Sequence, residues 1–100
     1  MLNKPIWALS ATELVKKTKD NELSATEVTS AYLEHIKKVN PELNAIVDDM
    51  SDEAIKRAEI LDRATIAGEP KGRLFGVPVT IKINVDQKGY ATSNGVTALK

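Results

Sequence analysis

One lysine in this chain stands where a base could work. Phe75, Val77, Val79 and Ile81 alternate with Gly76, Pro78, Thr80 and Lys82, and this period of two predicts a strand from about Val77 to Lys82. In open α/β sheets the ligand crevice lies beyond the carboxyl ends of the strands. Lys82, followed by Asn84 and Asp86, therefore falls where chemistry is usually done. To take a proton near neutral pH, a lysine must be disfavoured in its ammonium form, most simply by desolvation in an enclosed pocket. The plain structural reading is a solvated ammonium on an apolar stem, and position alone favours it.

A nucleophile is harder to find. The serines are Ser10, Ser24, Ser30, Ser51 and Ser93, of which three occupy helix-capping positions, one lies inside a helix and Ser93 follows a turn. None sits in a Gly/Ser-rich loop that could supply convergent N–H groups for an oxyanion hole. A private Ser93–Lys82 dyad lacks both the Ser-x-x-Lys spacing and a glycine-lined hole. His35, the single histidine, falls on the apolar stripe of a helix, where a packed ring with one polar contact is the simpler reading. Asp48 and Asp49 lack the glycine turn and further oxygen ligands of a cation loop and read as a solvated strand exit. With no cysteine, disulfides, a thiol nucleophile and thiolate metal sites are excluded.

The elements that must position Lys82 are mostly helical. Ser10-Ala-Thr-Glu13 is a capping box with Leu9 and Leu14 as its hydrophobic staple, predicting a helix from Ala11 to about Asp20. Asn21-Glu22 makes a turn. Ser24-Ala-Thr-Glu27 repeats the device, stapled by Leu23 and Val28, and opens a second helix from Ala25 to about Val39. Its stripe is Val28, Ala31, Tyr32, His35, Ile36 and Val39. Pro41 is expected to end it by disfavouring helical geometry at Asn40, with Leu43 to Val47 a short strand or extended segment. Ser51 is expected to cap a third helix from Asp52, with Asp52 and Glu53 near its positive end and Gly68 at its C-terminal stop. Glu69-Pro70-Lys71-Gly72 is a surface loop leading into the strand. Gln87-Lys88-Gly89 is a turn, 90–94 a loop or short strand, and 96–100 the start of another helix.

With 42% hydrophobic and 28% charged residues in 100, the chain is a globular segment of one small domain at most. Fourteen basic and fourteen acidic side chains balance to zero, so nothing in the charge balance points to nucleic acid or an anionic membrane surface. No segment approaches the roughly 18 apolar residues of a spanning helix and the start carries no signal-like run; a cytoplasmic protein is expected.

The run from Gly76 to Asp86, Gly-Val-Pro-Val-Thr-Ile-Lys-Ile-Asn-Val-Asp, followed by Gly89, Thr92, Asn94-Gly95 and Leu99, resembles the first block of the amidase signature family. The two Leu-Ser-Ala-Thr-Glu helix starts, Val39-Asn40-Pro41 and Leu43-Asn44-Ala45 are similar to that family's N-terminus, so the likeness covers nearly the whole chain. It departs at Ile83, where the family commonly has aspartate. The resemblance implies an α/β fold: N-terminal helices plus the first strands of a mixed sheet, truncated here, with helical residues 1–68 and the strand and loop carrying the lysine at 72–100. It implies that Lys82 is the base of a Ser-Ser-Lys triad in an amide hydrolase and that both serines lie in a Gly/Ser-rich signature not reached by Lys100, so that the 100 residues alone are expected to be inactive. It implies no metal or organic cofactor, a small-molecule amide as substrate, and a peripheral pair of helices through which two subunits could form a homodimer. Two other readings stay open: the A subunit of a tRNA-dependent amidotransferase, and a non-catalytic interaction module in which Lys82 is merely a charge.

Overall fold

In a computed structural model the described residues are 4–82, 85 and 87–89. They form a short 3₁₀ turn at Ile6–Ala8 and three helices, α1 (Ala11–Lys19), α2 (Ala25–Leu43) and α3 (Ser51–Ile66). Both capping boxes are in place. The Ser10 hydroxyl accepts from the Glu13 N–H at 3.1 Å while Glu13 accepts from the Ser10 N–H at 3.1 Å, and the Ser24–Glu27 pair does the same at 3.0 and 3.2 Å. These local devices fix where α1 and α2 start.

The helix ends are equally explicit. Asn21 at φ 60° follows α1, with the Asn21 N–H reaching the Thr18 carbonyl and the Glu22 N–H reaching that of Lys17, which satisfies two carbonyls that the helix leaves free. Gly68 at φ 80° closes α3 in the same way, its N–H on Thr65 and that of Glu69 on Ala64. The expected stop at Gly68 is therefore real.

Four expectations are corrected. Pro41 does not end α2, which runs through it to Leu43. Proline forfeits one N–H bond, and that loss is small in a last turn that is otherwise held. Here left-handed Asn44 returns its N–H to the Asn40 carbonyl at 2.6 Å. The Asn40 amide donates to the Ile46 carbonyl at 3.0 Å and accepts from its N–H at 2.9 Å. Leu43 to Val47 is accordingly helix end and irregular chain, not a strand. Ser51 is the first residue of α3 rather than its cap; its N–H and hydroxyl both donate to the Asp49 carboxylate. Finally, among the described residues there is no strand, so Val77 to Lys82 is not one. Alternation marks a capacity to lie in a sheet, but ladder hydrogen bonds need a second strand. The first strands of the expected α/β architecture are thus not seen, and the described part is helical. The expected loop or strand at 90–94 and helix start at 96–100 lie outside the described residues, while the turn at Lys88-Gly89 is present, with Gly89 at φ 86°.

α2 and α3 pack against each other as an antiparallel pair, the C-terminal half of α3 meeting the N-terminus of α2 through Asp62. Leu14, Ala25, Val28 and Ala58 form the buried apolar core, joined by Thr18 and Thr29. The 3₁₀ turn folds onto α2, with the Trp7 ring stacked on His35 at 3.8 Å and the Tyr32 hydroxyl donating to the Leu9 carbonyl at 3.3 Å. His35 is thus a packed ring, as its place on the stripe suggests.

Candidate functional site

The segment carrying Lys82 is fastened to the rest of the chain just before it begins. Phe75 donates its N–H to the Gly72 carbonyl at 3.2 Å and Val77 to that of Leu74 at 3.1 Å, so 72–77 is two overlapping turns. They sit on the C-terminal end of α1. Thr18, only 1% exposed, has its single hydroxyl proton shared between the Phe75 carbonyl at 3.0 Å and the Val15 carbonyl of its own helix at 3.0 Å. The Lys71 ammonium donates to the Thr18 carbonyl at 2.7 Å and to Asn21 Oδ1 at 2.6 Å, with a longer contact to the Lys19 carbonyl at 3.5 Å. It also lies 5.3 Å from the centre of the Phe75 ring. A cation on the last carbonyls of a helix is favoured by the partial negative charge there.

Gly76 is where the chain comes closest. It is buried at φ 74°, and a Cβ built on it would stand 3.1 Å from Thr18 Cγ2 and 3.5 Å from Ala25 Cβ. Any side chain would strain the backbone and press on α1 and α2 together. From Val79 onward the segment turns outward. Val79 is 71% and Ile81 47% exposed, and Lys82 is exposed. The Lys82 carbonyl accepts the Val85 N–H at 3.0 Å.

The structure does not bring a serine to Lys82 among the described residues. Ser10 and Ser24 spend their hydroxyls on helix caps, Ser51 is engaged with Asp49, and Ser30 lies within α2. Asn84, Asp86 and Ser93 lie outside the described residues. A shallow concavity at the start of α3 is lined by residues 49–53 and does not include Lys82. No group of three acidic, histidine or cysteine side chains among the described residues could hold a metal ion. None of the helices among the described residues is long and apolar enough to cross a membrane.

Among the described residues, two carboxylates are held below their ordinary pKa, and both serve helix starts. The Ser10 N–H that donates to Glu13 lowers it first, with the Ser10 hydroxyl and Lys4 adding to the effect. The Ser51 hydroxyl, then the Ser51 N–H, does the same for Asp49. Each favours its charged form because these donors bond a carboxylate more strongly than a protonated carboxyl.

Asp62 is a functional part of the scaffold that pattern reading passes over. Its Oδ1 accepts from the Ala25 N–H at 2.8 Å and its Oδ2 from the Thr26 N–H at 3.0 Å and the Thr26 hydroxyl at 2.5 Å. Asp62 follows Ala58 by one helical turn on the packing side of α3. A carboxylate on that side is the available hint, since it needs donors from a neighbour.

Comparison with known proteins bears on the same residues. The sequence model of the Amidase family matches residues 27–100. Over 96 residues, 96% of the chain, it is 43% identical to indoleacetamide hydrolase of Bradyrhizobium diazoefficiens, covering 18% of that protein. It is 39% identical over 88 residues, 88% of the chain, to the A subunit of glutamyl-tRNA(Gln) amidotransferase of Caldanaerobacter subterraneus, covering 18% of it. To fatty-acid amide hydrolase 2-B of Danio rerio it is 34% identical over 102 aligned positions, 95% of the chain and 19% of the relative. The chain therefore spans about a fifth of the length of the relatives it matches. No solved structure matches it.

Proposed function

Because this chain belongs to the amidase family, we propose that it supplies the N-terminal portion of a single-domain enzyme that hydrolyses a carboxylic amide, with Lys82 as its base. The observation that carries the reading is the placement of Lys82. It lies inside the matched residues, within the Gly76 to Asp86 run, beyond a turn clamped to α1. In the proposed reaction neutral Lys82 takes a proton from a bridging serine, which takes one from a nucleophilic serine. The nucleophile bonds to the amide carbonyl carbon, the C–N bond breaks, and the relayed proton leaves with the amine. Water then releases the acyl group. Neither serine is assigned to a residue of this chain.

The lysine must be desolvated to do this at neutral pH. The exposed Val79, Ile81 and Lys82 are proposed to be covered by further strands of an α/β sheet, which would enclose the amine. As proposed, the enzyme works in the cytoplasm on a small-molecule amide with no metal or organic cofactor, α1 and α2 lying at its periphery where two copies can meet.

A second reading has its own support. Similarity at 39% identity to the amidotransferase A subunit fits delivery of ammonia to an aminoacyl-tRNA within a larger assembly. Ile83 and Thr92-Ser93-Asn94-Gly95 favour the stand-alone hydrolase.

The test is Lys82→Ala in the intact protein. Amide hydrolysis should fall by at least about a thousandfold, the scale expected when a triad member is lost, while the circular dichroism spectrum stays unchanged. Turnover near that of the unaltered protein would remove Lys82 from the mechanism.

A further inference from the structure

We propose that Thr18 is a positioning residue for Lys82, and that the C-terminal end of α1 is the anchor from which the lysine-bearing segment is aimed. The inference rests on the reading of Lys82 above. Its starting point is that α1 (Ala11–Lys19), far from Lys82 in sequence, holds the turn that precedes it.

Three independent contacts converge on one helix end. The buried Thr18 hydroxyl donates to the Phe75 carbonyl, 57 residues away in sequence. Lys71 donates to the Thr18 carbonyl and the Asn21 side chain from the other side of the same turn. Gly76 lies so close to the Thr18 methyl that a Cβ would meet it at 3.1 Å. A surface loop that only had to link α3 to the next element would not need a buried hydroxyl, an ammonium and a glycine at positive φ at one point. Together they fix the position of the chain at Phe75 and its direction as it leaves Gly76. Lys82 follows six residues later, and that length of chain spans at most about 20 Å. Gly76 is thus the last clamped point before Lys82 and bounds where the amine can lie.

Thr18 is the better handle because valine has nearly its shape but lacks the hydroxyl, and serine keeps the hydroxyl without the methyl. The experiment uses the intact protein as Thr18→Val, Thr18→Ser and unaltered forms. Trace labelling with acetic anhydride at pH 8 reads the acetylation rate of Lys82 against that of Lys37 on α2 in the same molecule, by peptide mass spectrometry. Hydrogen exchange over 74–82 is read in parallel. In Thr18→Val the Lys82 to Lys37 ratio should change by about threefold or more, and exchange over 74–82 should rise by about fivefold, the loss expected for one hydrogen bond. Thr18→Ser should restore both.

An unchanged ratio in Thr18→Val, even with a lower melting temperature, would make Thr18 merely structural and overturn the proposal. If Thr18→Val does not fold, Lys71→Met, which removes the ammonium from the same turn at a half-buried position, takes its place: a changed ratio supports the anchor and an unchanged one overturns it. The reading of Lys82 as base fails separately. It fails on the turnover of Lys82→Ala, which leaves the labelling and exchange comparisons standing.

Discussion

Replacing Asp62 with alanine should destabilise the helical scaffold more than the loss of any ordinary surface charge. The four N–H groups that α2 cannot bond within itself are all accounted for. Ser24 donates to Glu27, Ala25 and Thr26 donate to the two oxygens of Asp62, and Glu27 donates to the Ser24 hydroxyl. Asp62→Ala removes half of that set. Ala25 is fully buried, so its N–H has no route to water, and an unsatisfied buried donor costs about 1–3 kcal/mol. Loss of an anion from the positive end of the helix adds about 0.3–1 kcal/mol. Thr26 is half-exposed and can be rehydrated, so it adds little.

The sum is about 1.3–4 kcal/mol, which in a chain of this size lowers the melting temperature by about 5–30 °C. Equilibrium denaturation followed by circular dichroism checks the total. Amide exchange at Ala25 and Thr26 checks the mechanism, because these two should lose protection ahead of the rest of α2. Asp62→Asn, which retains one acceptor oxygen and no charge, should fall between the two. If Asp62→Ala stayed within about 0.5 kcal/mol of the unaltered chain, with Ala25 exchange unchanged, the account of α2's N-terminus would be wrong.

Two further outcomes follow from the geometry. Gly76→Ala should cost more than Gly68→Ala. Both residues have positive φ, worth about 1–2 kcal/mol against a side chain, but only Gly76 has neighbours within 4 Å of the new methyl. Equal losses in denaturation midpoints would mean that the contact with Thr18 is not tight. For the caps, the sign of the pH dependence is set by the depressed carboxyls. Glu13 ordinarily titrates near 4.5 and Asp49 near 3.8, and both lie lower in the folded chain. Their contribution is therefore complete above those ordinary values and disappears as pH falls through the lower folded ones. Side-chain NMR titration should show both midpoints below the ordinary values; Glu13 titrating at or above 4.5 would contradict the capping box. Glu13→Gln should remove that part of the acid sensitivity while keeping α1 helical.

What was legible in the sequence was what is local. A capping box spans three residues and a left-handed stop needs only its own backbone, so the starts of α1 and α2 and the end of α3 at Gly68 follow from spacing alone. The family was legible for a different reason, since the Gly76 to Asp86 run has an order that few other sequences share, and with it came the candidate Lys82. Whatever depended on a distant partner was not legible. Pro41 breaks a helix only if nothing else holds its last turn, and Asn40 and Asn44 hold it. Val77 to Lys82 has the rhythm of a strand, but pairing belongs to two segments and alternation describes one.

The same reason explains the rest. That Asp62 caps a helix begun 37 residues earlier, and that Thr18, Lys71 and Gly76 meet at one point, could not be read from periodicity. A hydrogen bond's energy depends on a separation of a few tenths of an ångström, and only the packing of α1, α2 and α3 sets that separation. The sequence alone determined the starts of α1 and α2, the stop of α3 and the family run that makes Lys82 a candidate; the tertiary structure decided where α2 ends, how α3 starts, which buried donors are satisfied and by which residue, and from where the lysine-bearing segment sets out.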